Sequence, residues 1–180
     1  MKKTISIIIS IAMCAMLASC GGVKNEVSDK KQPTLVDTMS LEEKVGQILF
    51  VRCVEDGQTD DLMSIKPGGI LMFGRDFEGL TKDEVKEKIQ SYQDKSDIPL
   101  IIGADEEGGT VVRVSSNPNL APEKFKSPQE IYNEGGMDAV VENATEKSEL
   151  LLSLGVNMNL APVADVSTNP SDYMLSLIHI

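Results

Sequence analysis

Tryptophan is missing from the chain, and phenylalanine and tyrosine supply all of its 4% aromatic content. That argues against a surface built from aromatic stacking platforms. The single histidine, His179, is next to last, so no imidazole stands near Cys53 to activate it. Cysteine is scarce. Cys14, Cys20 and Cys53 show no metal-ligand spacing and form no disulfide framework. Positive charge is short too, with 17 Lys and Arg against 28 Asp and Glu and a formal net charge of −11. Such a balance leaves no electrostatic footprint for nucleic acid. No apolar run reaches the roughly 20 residues of a spanning helix. No G-x-G-x-x-G follows the first predicted strand, so a dinucleotide-binding fold has no support. Nothing in the sequence calls for a metal or an organic cofactor.

What is present begins with a targeting pattern. Lys2 and Lys3 precede a short apolar stretch, Ile5 to Leu17, which ends Leu17-Ala18-Ser19-Cys20. A basic start, a short apolar middle and small residues before a cysteine resemble the lipobox of bacterial lipoproteins. The expectation is a signal peptide over 1–19, cleavage before Cys20, and lipid on the Cys20 thiol. A plain secretory peptide with an incidental cysteine is the alternative. The polar stretch that follows, to residue 34, holds Lys24, Asn25, Glu26, Asp29, Lys30 and Lys31. It buries too little apolar area to fold and reads as a tether. This implies a bacterial membrane-anchored lipoprotein facing the cell surface or the periplasm.

From Leu35 the chain reads as a globular domain extending to residue 174. Ser40 with Glu43, Thr81 with Glu84, and Ser127 with Glu130 are three capping boxes, the last with Pro128 at the first helical position. Each predicts a helix start. Leu41, Val45 and Ile48 share one helical face, and Val85, Ile89 and Tyr92 another. Gly135-Gly136 is expected to end one helix and Gly155 a second. Between the helices lie apolar runs that do not alternate: Ile48–Val51, Gly69–Phe73, Leu100–Ile102 and Val156–Val163. Continuous apolar runs suit strands buried on both faces. Strands separated by helical patterns predict parallel βαβ units. The fold class expected is α/β, the N-terminal half of a (β/α)8 TIM-type barrel, incomplete. Val111 to Val114 are expected to leave in an extended segment.

In such folds chemistry sits on loops at the carboxyl ends of strands. There the sequence places Arg75, then Asp105-Glu106-Glu107-Gly108-Gly109, then Asp165. Three carboxylates beside two glycines could form a ligand site, or an acidic turn. Arg75 could contact a ligand, but pairing with a neighbouring carboxylate is the favoured role. Cys53 reads as a buried small hydrophobe.

Four segments in order then resemble the N-terminal domain of glycoside hydrolase family 3. They are Met39–Gln47, Pro67–Phe77, Asp105–Arg113 and Leu154–Val166. The run D-x-E-G-G-x-V-x-R at Asp105–Arg113 is similar to the branch of bacterial β-N-acetylhexosaminidases. The resemblance implies retaining hydrolysis of terminal β-linked N-acetylglucosamine from a glycan or muropeptide. It implies that Asp105 and Arg113 hold the sugar. Glu107, Gly108 and Gly109 would shape their loop, and Asp165 would stand near the pocket. The family's nucleophile aspartate, its Asp–His acid/base pair and its K-H motif match nothing here, so no catalytic residue is assigned in this chain. A β-glucosidase-type relative and a non-catalytic sugar-binding lipoprotein are the other readings.

A β/α barrel takes about 250 residues and eight strands, and this chain offers four strand candidates. The family pattern breaks after Asn169-Pro170, and Leu175 to Ile180 fit nothing before them. Those six residues match the translation of a transposon end used in preparing sequencing libraries. The expectation is an inactive fragment whose residues 175–180 are an adapter artefact. A genuine hydrophobic C-terminus is the alternative.

Overall fold

The computed structural model describes residues 32–164 except Asp56. Residues 1–31, on which the expected signal peptide, Cys20 and most of the expected tether fall, lie outside the described residues, as do Asp165 and the chain after it. The chain divides into two compact units, Met1–Thr38 and Met39–Ile180. In the first, the described part is one helical turn, α1 (Leu35–Thr38), whose Asp37 carboxylate accepts from the Thr34 amide and hydroxyl.

The second unit runs α2 (Leu41–Gln47), β1 (Phe50–Arg52), α3 (Thr59–Ser64), β2 (Gly69–Met72), α4 (Gly74–Phe77), α5 (Lys82–Gln93), β3 (Ile101–Ala104), α6 (Pro128–Leu154) and β4 (Met158–Asn159). All three strand pairings are parallel, and the order in space is β1-β2-β3-β4. Parallel neighbours need a crossover, and helices provide it each time. Sequential order without reversal is the arrangement of a β/α barrel rather than of a doubly wound sheet, whose strand order reverses at a switch point.

The three capping boxes form as the sequence predicts. Ser40, Thr81 and Ser127 each accept the amide of the glutamate three residues on, and each glutamate reaches back to the cap amide. At the far end of α6, Gly155 takes φ 91° and closes the helix. The Gly135-Gly136 break is partial. Gly136 has φ 67° and ψ −157°, so helical geometry fails there, yet the ladder resumes and α6 continues.

Glu43 has a second partner, Lys66 Nζ at 2.7 Å. With the Ser40 amide this holds its pKa down to about 2 from the ordinary 4.5, the Lys66 hydrogen bond being the larger cause. The folded pKa lies below the unfolded one, so the stabilisation is complete above pH 4.5 and disappears as pH falls from there toward 2. An NMR titration of the Glu43 carboxyl should show that midpoint, and Lys66→Ala should move it toward 4.5.

One face of the sheet carries the core. Ile70, Met72, Ile102 and Ala104 are fully buried there and share a cluster with Val85, Ile89 and Tyr92 of α5 and Leu151 and Leu154 of α6. Cys53 is buried in the same cluster, as expected. The opposite face follows the other parity. The Phe50 ring lies across two glycines, within 2.5 Å of where a Cβ on Gly69 or on Gly103 would stand. Ile101, Met158 and Leu160 stay partly exposed on this side. Leu41, Val45 and the C-cap Ile48 of α2 are exposed too, at 72%, 49% and 81%. Periodicity puts these three on one face, but burial needs a packing partner, and none of the described residues of this unit supplies it.

Two predicted strands are shorter than the apolar runs implied. β4 is two residues rather than eight, and β1 starts at Phe50. The segment after the acidic loop is not extended; Val111 makes one isolated bridge to Gly108, and the chain turns at Arg113–Ser116. The cause is a carboxylate that gathers the backbone there.

Candidate functional site at the carboxyl ends of the strands

Strand parity sorts the three acids after β3. Ile102 and Ala104 face the core, and Glu106 continues that series. It is fully buried, and its side chain takes the amides of Arg113 and Val114 on Oε2 at 2.7 Å each. On Oε1 it takes the Ser115 amide at 3.3 Å and the Ser115 hydroxyl. Four hydrogen bonds satisfy its buried oxygens, without which burial would be costly. Its own backbone is locked by Asn159 of β4, whose side chain accepts from the Glu106 amide at 3.0 Å and donates to its carbonyl at 3.1 Å.

Asp105 has the opposite parity and turns to the uncovered face. Its Oδ2 lies 3.4 Å from Arg113 Nη2, with both side chains about one quarter exposed. Arg113 Nε is buried and has no hydrogen-bond partner among the described residues. The guanidinium carbon stands 5.7 Å from the centre of the Phe73 ring. Asp105 and Arg113 therefore come together as an open ion pair at the end of β3, with donor and acceptor capacity left over.

Glu107 bonds within the fold. Its Oε1 accepts from the Val163 amide at 2.9 Å, which ties the loop to the chain leaving β4. Oε2 is buried without a partner among the described residues. Burial pushes the Glu107 pKa up, against the pull of the Val163 amide and Lys147, and the Asp105 charge adds to the rise. Lys147 of α6 enters beneath the loop and donates to the Glu107 carbonyl, its Nζ 5.6 Å from the Phe125 ring centre. Burial pulls the Lys147 pKa down, and Glu106 and Glu107 oppose that. Gly108 and Gly109 turn the loop with φ 105° and 62°, and the Gly109 amide donates to the Phe125 carbonyl.

Arg75 opens α4 and turns away from this pair. Its Nε lies 3.7 Å from Asp76, and its Nη2 donates to the Cys53 carbonyl at 3.4 Å. Asp165 lies outside the described residues.

Sequence reasoning passed over Glu106, Lys147, Asn159, Phe73 and Arg52. For two of them a signal existed. Lys147 interrupts the stripe Val140, Ala144, Leu151, Leu154 at its regular spacing, and Glu106 falls on the core parity of β3. Polar residues in apolar positions mark built interactions.

A sequential parallel sheet with an acid–arginine pair open at its strand ends defines a β/α-barrel-type domain, whose exposed polar groups gather at the carboxyl face. The glycosyl hydrolase family 3 N terminal domain matches residues 40–174, and the chain belongs to that family. It is 29% identical over 113 residues to the beta-hexosaminidase A of Pseudoalteromonas piscicida, covering 61% of this chain and 19% of that protein. It is 24% identical over 98 residues to the beta-hexosaminidase of Haemophilus influenzae, covering 54% and 27%. Among solved structures it resembles a family 3 beta-N-acetylglucosaminidase from Paenibacillus sp. FPU-7, with TM-score 0.65, 26% identity, and 73% of this chain against 26% of that one. A family 3 glycosyl hydrolase from Mycobacterium smegmatis shares the fold at TM-score 0.61 and 22% identity, over 75% of this chain and 39% of that one. The chain thus spans about a fifth to a quarter of the curated relatives it matches.

Proposed function

We propose that this chain is the front part of a retaining glycosidase that releases terminal β-linked N-acetylglucosamine from a glycan or muropeptide, and that Asp105 and Arg113 hold the sugar. The open Asp105–Arg113 pair carries this reading. A carboxylate and a guanidinium side by side accept from and donate to neighbouring hydroxyls of one ring by charge-assisted hydrogen bonds. The relatives named beta-hexosaminidase and beta-N-acetylglucosaminidase support the sugar class.

Bond breaking needs a nucleophile and an acid/base carboxylate flanking the anomeric carbon. The acids of this loop are engaged otherwise. Glu106 is buried under three amides and a hydroxyl, Glu107 is buried on the Val163 amide, and Asp105 pairs with Arg113. They bind and shape, and the 180-residue chain by itself has no turnover. The test compares this chain with the product of the complete gene on p-nitrophenyl N-acetyl-β-glucosaminide and p-nitrophenyl β-glucoside. The reading expects the complete product to prefer the first and the chain to stay at the buffer rate. Turnover by the chain, or a preference for the glucoside, refutes it.

The lipid anchor belongs to the same proposal and rests on Leu17-Ala18-Ser19-Cys20. The protein would sit on a bacterial membrane, facing the surface or the periplasm, held by acyl chains on Cys20. Cys20→Ala should abolish incorporation of labelled palmitate in cells; a mutant that still takes up label removes the assignment.

A further inference from the structure

We propose that Arg52 is a specificity-determining residue that binds a carboxylate on the substrate, beside the sugar held by Asp105 and Arg113. The proposal rests on the sugar-site reading above. Parity and register place the side chain. Phe50 lies on the uncovered face of the sheet, over Gly69 and Gly103, so Arg52 two residues on shares that face. Arg52 is in register with Leu71 of β2, and Phe73 follows Leu71 by two residues on the same side. The Arg52 guanidinium carbon sits 4.7 Å from the centre of the Phe73 ring. Arg113 approaches the same ring at 5.7 Å. One phenylalanine therefore brings two guanidiniums together at the strand ends.

The charges around this point do not cancel. Asp105 answers Arg113, and Asp76 answers Arg75. Glu106 and Glu107 are buried in backbone hydrogen bonds, and Lys147 is turned under the loop. Arg52 has no carboxylate partner among the described residues, and it is exposed. Stacking on Phe73 fixes the guanidinium plane and leaves its N–H edges free. A fixed planar fork matches a carboxylate bidentately, which a neutral hydroxyl cannot exploit to the same degree.

The test titrates the full chain calorimetrically with two disaccharides of matched size. One is neutral, N,N′-diacetylchitobiose. The other, N-acetylglucosaminyl-β-1,4-N-acetylmuramic acid, adds a lactyl carboxylate. The wild type should bind the acidic disaccharide about tenfold more tightly, an advantage that shrinks as salt rises. Arg52→Gln should bring the ratio of the two Kd values close to one. Arg52→Lys, which keeps the charge and loses the fork, should fall between. Circular dichroism of each variant checks that it folds as the wild type does. A wild type that binds both disaccharides equally, or an Arg52→Gln that keeps the preference, overturns the proposal and leaves the sugar site standing. A wild type that binds neither overturns the sugar-site reading, and this proposal with it.

Discussion

Replacing Glu106 by alanine should lower the stability of the folded unit by about 3–5 kcal/mol, because four buried donors lose their acceptor together. The side chain is fully buried and accepts four hydrogen bonds, from the amides of Arg113, Val114 and Ser115 and from the Ser115 hydroxyl. Alanine removes every acceptor and leaves these donors in a space that water does not reach. Each unsatisfied donor costs on the order of 1–3 kcal/mol, and relaxation of the turn recovers part of the sum. Glu106→Gln keeps one acceptor oxygen but turns an NH2 toward the amides, so its loss should be smaller. Urea unfolding gives the difference, and hydrogen exchange shows where it falls. The Arg113, Val114 and Ser115 amides should exchange first. A midpoint within experimental error of the wild type would remove Glu106 from the account of the loop.

The second large effect is expected at Gly108→Ala, again about 3–5 kcal/mol. Two costs combine. The backbone sits at φ +105°, where an L side chain is strained by roughly 1–3 kcal/mol. A Cβ there would also stand 2.2 Å from the Lys126 carbonyl oxygen and 3.0 Å from its carbon. These are backbone atoms, so no rotamer change relieves the contact, and the loop itself must shift. Gly79→Ala separates the two costs. It has φ +74° and open space around the new Cβ, so only the strain remains, and its loss should be smaller by at least half. Thermal or urea unfolding of both variants checks the comparison. Equal losses would mean that the Lys126 contact is unimportant. Because Gly108 lies between Glu107 and the return to Arg113, Gly108→Ala should also weaken sugar binding, which Gly79→Ala should leave alone.

Both predictions concern the same loop, and they show where reading the sequence stopped. The acids of Asp105-Glu106-Glu107 look equivalent in the chain, but one lies on the uncovered face and two are interior. Asp105 and Glu107 could be given expected roles from the family pattern. Glu106 could not, because its partners are seven to nine residues away in a turn that the sequence suggests is extended. The valines at 111, 112 and 114 have the composition of a strand, but the Glu106 carboxylate outweighs that preference by binding three successive amides. From the sequence alone Lys147 has no assigned role. Its burial depends on the loop lying over it, forty residues earlier in the chain.

The sequence by itself determined the three capped helix starts, the helix end at Gly155, the parallel alternation of strand and helix, and the membership of the acid–arginine motif. Each depends on groups within a few residues of one another. A capping box closes across three residues, and a C-terminal glycine is selected by its own φ. Tertiary structure alone decided which carboxylate is open, that Lys147 supports the loop, and that Arg52 meets Phe73. These follow from strand parity and from the register between β1, β2 and β3, where one residue of slip would turn every side chain to the other face.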